Sequence, residues 1–237
     1  MKTWLVTFAD GAAYTSTRLV AQARASGYFD EIRAWGPADF DLHFWRTHRR
    51  LLFNPQRGYG FWVWKFYFAQ RVLKEMRKDD VLVYMDSGST LHTNAAARER
   101  FRDYLEVLRA TPSGLLRFSK WFVLKERCKG DAFVYCDVAD AAAIRNGSEL
   151  LAGIFLLRKC AASERFIGLL CEMIEQKQYY LFNNRAGRVD VSQRHKSHSN
   201  DQALSSVVAR QLGCAVLANE LEMASDDFPL RLTRYRR

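Results

Sequence analysis

The chain has 237 residues, of which 49% are hydrophobic, and its 36 Lys and Arg residues against 26 Asp and Glu residues give a net charge of +10. Because only four prolines and no Ser/Gly-rich run interrupt it, we expect a single domain over residues 1–237. No apolar run approaches the roughly 18 residues of a membrane span, and the first apolar run is too short for a signal peptide. We therefore predict a cytoplasmic protein, whose basic surface allows peripheral contact with the inner face of a membrane.

The positive charge is spread along the chain and is not gathered into a nucleic-acid-binding pattern. Only residues 48–50 and 234–237 form short basic clusters, whereas nucleic-acid-binding proteins more often carry longer basic runs or a recognisable module. We therefore expect no nucleic-acid partner. The five cysteines are odd in number and lack C-x-x-C spacing, so the sequence indicates neither a disulfide framework nor a zinc site.

In chain order, the hydrophobic pattern predicts strands that alternate with helices. Between residues 178 and 199 the composition turns polar and basic, which predicts a long mobile loop. The alternation indicates an α/β fold with a Rossmann-like, mostly parallel sheet flanked by helices. The predicted strands are 4–8, 31–35, 81–85, 115–118, 153–157 and 214–217, and the predicted helices are 16–26, 39–52, 94–110, 137–145 and 163–179, with one more after Trp64 and one opening at Asp201.

Two segments, 57–65 and 81–89, carry the most information. The first, RGYGFWVWK, combines two glycines with aromatic side chains and Lys65, and it predicts a flexible loop that enters a helix. The second, VLVYMDSGS, predicts a buried strand that ends at Asp86. Because open α/β sheets bind ligands at the carboxyl ends of their strands, we expect this carboxylate to face a ligand.

Two later motifs follow in the chain, LAGIFLL at residues 151–157 and HSNDQ at residues 198–202. Together with the first two, they resemble a family of GT-A type glycosyltransferases found in surface-polysaccharide gene sets and in some large viruses, over about residues 7–212. The resemblance implies a GT-A fold and a hexosyltransferase-like activity. Such an enzyme transfers a sugar from a UDP- or GDP-sugar to a glycan or lipid-linked acceptor in surface polysaccharide assembly. In GT-A folds, the turn after the first strand, formed here by Ala9, Asp10 and Gly11, meets the nucleotide base.

A sugar transferase has to stabilise the departing diphosphate, and a divalent metal or fixed cations supply that stabilisation. Asp86 is the candidate ligand for Mn²⁺ or Mg²⁺, and His198 is the second candidate, with His195 competing for that role. The usual signature has a second Asp two positions after the first, where this chain has Gly88. One carboxylate holds a metal less firmly than two, so we expect the metal to assist without being indispensable.

The other donor-binding candidates can contact a phosphate or a sugar. Lys65 can pair with a diphosphate, an aromatic ring can stack on a base, and glycines let a ligand approach the backbone. Each motif also has a structural interpretation, as a buried aromatic cluster, a strand-ending turn or a tight strand start. The predicted donor-binding residues are Phe8, Ala9, Asp10, Tyr59, Trp64, Lys65, Asp86, Ser87, Gly88, Ala152, Gly153 and Gln202.

Asp201 is the candidate catalytic residue, because it opens a helix directly after a polar loop. If the reaction inverts the anomeric centre, Asp201 acts as the general base toward the acceptor hydroxyl. If the reaction retains it, Asp201 and Gln202 line the reacting face of the sugar. The structural interpretation is a first-turn carboxylate that interacts with the helix dipole.

Two alternatives to an enzyme stay open at this point. The replacement of the second carboxylate by Gly88 is also compatible with a catalytically inactive nucleotide-sugar or glycan-binding protein of the same fold. A basic nucleic-acid-binding α/β domain is less favoured, because the basic residues are dispersed.

Overall fold

The computed structural model describes residues 1–11, 14–52, 57–189 and 196–235. The strands are β1 (Thr3–Phe8), β2 (Glu31–Trp35), β3 (Val81–Met85), β4 (Thr90–Leu91), β5 (Leu115–Val123), β6 (Ser148–Leu150), β7 (Ile154–Arg158), β8 (Ala215–Leu217) and β9 (Leu230–Arg231). The helices are α1 (Thr17–Ser26), α2 (Leu42–Leu52), α3 (Arg57–Phe61), α4 (Trp64–Glu75), α5 (Ala95–Ala110), α6 (Leu124–Arg127), α7 (Gly130–Tyr135), α8 (Ala142–Arg145), α9 (Ala161–Glu175) and α10 (Asn200–Gln211), with 3-10 turns at Pro37–Asp39 and Tyr179–Leu181.

A seven-stranded sheet with the order β2-β1-β3-β7-β5-β6 forms the centre of the described structure, and β8 pairs with β5. The pairs β1–β2, β1–β3 and β5–β8 are parallel. β7 runs antiparallel to both β3 and β5, and β6 runs antiparallel to β5. Within this sheet, all strands except β6 and β7 therefore point in one direction, which confirms the predicted α/β fold with a mostly parallel sheet.

Helices cover both faces of the sheet, which explains why β3 is apolar throughout. Leu82 and Tyr84 belong to one apolar cluster, with side chains of α4, α9 and α10. Val81, Val83 and Met85 belong to a second cluster, with side chains of α1 and α5. Successive strand residues point to opposite faces, so a strand that is buried on both sides has no polar alternation.

The helix boundaries follow local signals. The Asn94 side chain accepts a hydrogen bond from the Ala97 amide at 2.8 Å and starts α5. Gly27 adopts a left-handed conformation after α1, with φ of 70°, as a helix-ending glycine does. No helix among the described residues combines the length and apolar composition needed to cross a membrane.

Several elements differ from the sequence predictions. The helix predicted at 137–145 is limited to α8, the helix predicted at 163–179 ends at Glu175, and β5 extends to Val123. The elements β4, β6, β9, α6 and α7 were not predicted, and α3 lies where the sequence predicted a loop. Each contains between two and six residues, and such short runs do not establish a hydrophobic period.

Candidate active site

The carboxyl ends of β1 and β3 meet at one edge of the sheet, because these strands are parallel neighbours. The antiparallel β7 begins at this edge, where the Asp86 amide donates a hydrogen bond to the Gly153 carbonyl at 2.8 Å. A cavity of about 1230 Å³ opens here, larger than the roughly 300–1,000 Å³ of most small-molecule sites. It is lined by every residue that the sequence predicts for catalysis, donor binding or metal binding: Phe8, Ala9, Asp10, Tyr59, Trp64, Lys65, Asp86, Ser87, Gly88, Ala152, Gly153, His198, Asp201 and Gln202.

Lys65 links two carboxylates of the cavity wall, Asp86 and Asp201. Its Nζ lies 2.9 Å from Oδ2 of Asp201 and 3.3 Å from Oδ1 of Asp86. It also donates a hydrogen bond to the Ala152 carbonyl at 3.3 Å. Lys65 is only 3% exposed, so these partners replace most of its hydration shell. In the structure, Lys65 therefore pairs with two aspartates of the protein, whereas the sequence predicted that it pairs with a diphosphate.

The charges of this cluster are coupled. Burial disfavours the Lys65 ammonium, but Asp201 and Asp86 outweigh that effect and raise the pKa of Lys65 above its usual value. Burial raises the pKa of Asp201 to about 6, although Lys65 acts in the opposite direction. Lys65 is thus charged at neutral pH, and the pKa of Asp201 lies closer to neutral pH than that of an ordinary aspartate.

Asp86 and the turn before β7 are positioned by further hydrogen bonds. The Tyr84 hydroxyl donates to Asp86 Oδ1 at 2.8 Å. Burial and the neighbouring Asp86 raise the pKa of Tyr84 well above its usual value, so this hydroxyl stays a donor. The Ala152 amide donates to Gln202 Oε1 at 3.3 Å. The start of α10, the turn before β7 and the end of β3 therefore form one connected network.

A turn of left-handed backbone precedes α4. Gly58, Tyr59 and Gly60 have φ of 70°, 50° and 88°, and Phe61 and Trp62 follow with φ of 58° and 61°. Left-handed backbone costs a non-glycine residue roughly 1–2 kcal/mol, so the surrounding packing has to hold it. Gly58 is required there, because a Cβ would lie 2.3 Å from the Trp62 ring. Such strain is often found at binding sites.

The aromatic residues of this segment differ in their access to the cavity. Trp64 is buried, with its ring stacked on Phe8 at 4.1 Å and its Nε1 donating to the Gly58 carbonyl at 3.0 Å. Tyr59 and Trp62 are half-buried and line the cavity. A base or sugar ring can therefore stack on these two rings more readily than on Trp64. The sequence analysis missed Trp62, although it stands in the same motif.

The segment 232–235 lies over the Asp86 turn, and its close contacts explain why two neighbouring positions are glycines. The Gly88 carbonyl accepts hydrogen bonds from the Tyr235 amide at 2.9 Å and from the Thr233 hydroxyl at 2.6 Å. A Cβ on Gly88 would lie 3.0 Å from backbone atoms of Tyr235. A Cβ on Gly153 would lie 2.6 Å from the Leu232 side chain. These contacts occupy the space that the sequence analysis assigned to an approaching donor.

Substituting Gly153 with alanine is expected to lower the stability of the protein by about 1–3 kcal/mol through overpacking. The new Cβ would meet Asp86 Oδ2 at 2.8 Å as well as Leu232. Gly168→Ala is the matched control, because nothing lies within 4 Å of its Cβ position inside α9. The control should be neutral or slightly stabilising. Thermal unfolding of both variants tests the close contact, and equal melting temperatures would contradict it.

His198 has two backbone partners. The Lys129 amide donates to its Nδ1 at 3.2 Å, and its Nε2 lies 2.7 Å from the Leu181 carbonyl. Since Nδ1 accepts, Nε2 carries the proton and donates. Both ring nitrogens are therefore engaged, Nδ1 with the turn between α6 and α7 and Nε2 with the chain after α9. The competing His195 lies outside the described residues.

The predicted divalent metal does not fit the side chains around Asp86. Asp86 Oδ1 already meets the Lys65 ammonium and the Tyr84 hydroxyl, and His198 has no free ring nitrogen. In the part of the chain that the structure describes, no group of three or more His, Cys, Asp or Glu side chains could hold a metal ion. A positive charge is therefore already present at the position of the predicted metal.

The cavity also contains cations that the sequence analysis did not single out. Among the described residues, its acidic lining residues are Asp10, Asp86 and Asp201. The basic lining residues outnumber them, and most come from α6, the turn between α6 and α7 and the loop before α10. For those in the loop before α10, the local signal was the basic composition of residues 185–196. They are Lys65, Lys120, Arg127, Lys129, Arg185, Arg188, Lys196 and Arg234.

Comparisons with known proteins give limited similarity. No protein-family model matches the sequence, and no curated protein sequence matches it. Among solved structures, the chain is similar to mouse xyloside xylosyltransferase 1 in its apo form, with a TM-score of 0.43 and 11% sequence identity. That alignment covers 92% of this chain and 84% of the other. A likeness at this score carries no functional argument, so the function has to be argued from the cavity.

Proposed function

We propose that this protein is a nucleotide-sugar-dependent glycosyltransferase of GT-A architecture, formed as one domain over residues 1–237. It transfers a sugar from a UDP- or GDP-sugar to a glycan or lipid-linked acceptor in surface polysaccharide assembly. The observation that supports this proposal is the convergence of separate sequence motifs on one cavity at the carboxyl ends of β1 and β3. A cytoplasmic location, with peripheral contact at the membrane through the basic surface, belongs to the same proposal.

The donor is assigned to the part of the cavity between β1 and β3. Phe8 ends the first of these strands, Ala9 and Asp10 follow it, and these three residues meet the base, while Tyr59 provides a half-buried ring for stacking. Ser87, which lines the cavity in the turn after β3, is assigned to the sugar. A cavity larger than an ordinary ligand site leaves room for an acceptor beside the donor.

Asp201 is the proposed general base. Its carboxyl group lines the cavity and is held by Lys65, and its pKa, raised to about 6, is closer to neutral pH than that of an ordinary aspartate. A base of this pKa is mostly ionised at pH 7 and still accepts a proton effectively. When Asp201 takes the proton of the acceptor hydroxyl, Lys65 keeps Asp86 as its counter-charge. In a retaining reaction, Asp201 and Gln202 would instead line the sugar face.

A ligand screen tests the proposal directly. UDP, GDP, CMP and their sugars should be added separately, and one of the diphosphate series is expected to raise the melting temperature, because a ligand that binds only the folded state stabilises it. Release of the free nucleotide from the stabilising sugar nucleotide, measured with and without candidate acceptors, tests the activity. Absence of binding by every sugar nucleotide would contradict the proposal.

A second candidate is a catalytically inactive nucleotide-sugar or glycan-binding protein of the same fold. The observation that favours it is the burial of Asp201, which is 4% exposed and already paired with Lys65. Such a protein would be stabilised by a sugar nucleotide and would show neither hydrolysis nor transfer. The two measurements above therefore separate the candidates.

A further inference from the structure

Loop 183–189 borders the cavity and is held by a buried lysine. Lys129 is 2% exposed, and its Nζ donates hydrogen bonds to the Tyr180 carbonyl at 2.7 Å, to Asn183 Oδ1 at 3.2 Å and to the Arg185 carbonyl at 3.0 Å. Burial lowers the pKa of Lys129, and these oxygens stabilise its charged form. The beginning of the loop therefore has a defined path.

The end of the loop is held by a buried carboxylate. Asp131, which is 7% exposed, accepts hydrogen bonds through Oδ2 from the Arg188 amide at 2.8 Å and from the Val189 amide at 3.3 Å. Gly187 passes so close that a Cβ there would lie 2.6 Å from the same oxygen. Two buried charged residues near the start of α7 thus shape both ends of a loop that the sequence predicted to be mobile.

This fixed loop directs two guanidinium groups toward the cavity. Arg185 and Arg188 are exposed and line it, and neither forms an ion pair with a carboxylate of the described residues, whose ion pairs involve other side chains. The Arg188 guanidinium lies 5.4 Å from the centre of the Tyr180 ring, which restricts its position further. Planar, charged donors held in this way match the oxygens of a phosphate group.

We propose that Arg185 and Arg188 bind the diphosphate of the sugar nucleotide directly, and that this binding needs no divalent cation. The inference rests on the proposed function. It joins two observations, the ammonium of Lys65 beside the cavity-facing carboxylate of the β3 turn and two guanidinium groups on a fixed loop that form no ion pair with the described residues. A divalent cation at Asp86 would be repelled by Lys65, whereas the guanidinium groups are oriented toward the cavity that would hold the diphosphate.

The same groups would stabilise the reaction as well as the bound donor. Negative charge grows on the diphosphate as the bond to the anomeric carbon breaks, and fixed cations that are oriented in advance stabilise that charge. The loop is also joined to the start of α10, because the Asn200 side-chain amide donates to Asn184 Oδ1 at 2.7 Å. The diphosphate site and the proposed base Asp201 are therefore held by neighbouring segments.

Isothermal titration of the full chain with UDP and GDP, in EDTA and in Mn²⁺, tests the inference. We expect one diphosphate to bind in EDTA, with less than about a 3-fold gain in affinity from Mn²⁺. The double variant Arg185→Gln/Arg188→Gln should bind the diphosphate about 10-fold or more weakly, as expected for the loss of charge-assisted hydrogen bonds. Its affinity for the matching nucleoside should stay unchanged. Arg185→Lys/Arg188→Lys keeps the charge without the planar fork and should lie in between.

The matched control is Arg24→Gln/Arg102→Gln, which removes two positive charges from exposed residues that do not line the cavity. It should change the affinity less than about 2-fold, because exposed charges beyond a Debye length are screened. Binding that appears only with Mn²⁺ would overturn the inference and leave the proposed function intact. Equal affinities of the parent and the glutamine variant would overturn the assignment to this loop. Absence of nucleotide binding under both conditions would overturn inference and function together.

Discussion

Asp201→Asn is expected to lower the rate of sugar transfer by about 10² or more, the effect of removing a general base. Asparagine has nearly the same size and leaves Lys65 paired with Asp86, so the fold and the donor affinity should be preserved. The rate of single-turnover transfer and the donor affinity of the same preparation separate these effects. A variant with the parental transfer rate would show that Asp201 is an ordinary helix-start carboxylate.

Glu164→Gln is the matched control for this substitution. Glu164 stands in the first turn of α9, as Asp201 does in the first turn of α10, but it does not line the cavity. Its replacement removes a carboxylate from a helix dipole without removing a base, so transfer should be unchanged. A similar loss of transfer in both variants would assign the effect to helix stability.

The pH dependence provides a second readout for Asp201. The base has to be ionised, so transfer by the parent should fall as the pH drops through about 6, the value to which burial raises the pKa of Asp201. The pKa of Asp201 in the folded state lies above the ordinary aspartate value of 3.8, so the stability that this group contributes is present below pH 3.8 and is lost as the pH rises through 6. As the pH rises from 4 to 7, the parent should therefore lose stability that Asp201→Asn does not lose, so the stability of the variant relative to the parent should increase.

Lys65→Met is expected to lower the stability by about 3 kcal/mol, the lower end of the range for breaking a buried ion pair. Asp201 would lose the cation that stabilises its ionised form, so its buried carboxyl group would have to be protonated or remain uncompensated, whereas Asp86 is partly hydrated, with its side chain 36% exposed. For a protein of this size, the loss corresponds to roughly 6–12 °C in melting temperature. Thermal unfolding monitored by circular dichroism measures it.

Two further variants test the cause of this loss. Lys65→Met/Asp201→Asn removes the uncompensated carboxylate together with the lysine, and it should recover about half of the lost stability, since coupled residues are not additive. Lys196→Met removes a lysine whose side chain is 65% exposed and pairs with Glu126 at the surface, and it should change stability by less than about 0.5 kcal/mol. An unchanged melting temperature in Lys65→Met would contradict the buried cluster.

The sequence predicted the parts of the fold that depend on local patterns. Strand β3 and the helix that Asn94 caps were predictable because an apolar run and a capping side chain are contiguous in the chain. The position of Asp86 followed as well, since a residue after a parallel strand lies at the carboxyl edge. Shared placement of the candidate residues in one cavity could therefore be anticipated from their positions after strands and before helices.

The pairing inside the site depends on distant segments and was not predictable in this way. Nothing local indicates that Lys65 meets Asp201, or that Gly88 contacts the segment around Tyr235. The antiparallel direction of β7 also lacks a local signal. The strand before it, β6, is separated from it by only three residues, and β6 is too short to be recognised in the sequence. A single sequence gives the positions of the charged residues, whereas the tertiary fold decides which of them neutralise one another.

The Lys65 cluster also has a consequence for folding. Lys65 and Ala152 are separated by 87 positions in the chain, and Asp201 lies further still along it. Contacts between such remote segments form late, because the intervening chain has to be ordered first. A partly folded chain can thus retain local helices while its lysine and its aspartates are still hydrated and apart. The charged centre of this protein exists only in molecules that have completed folding.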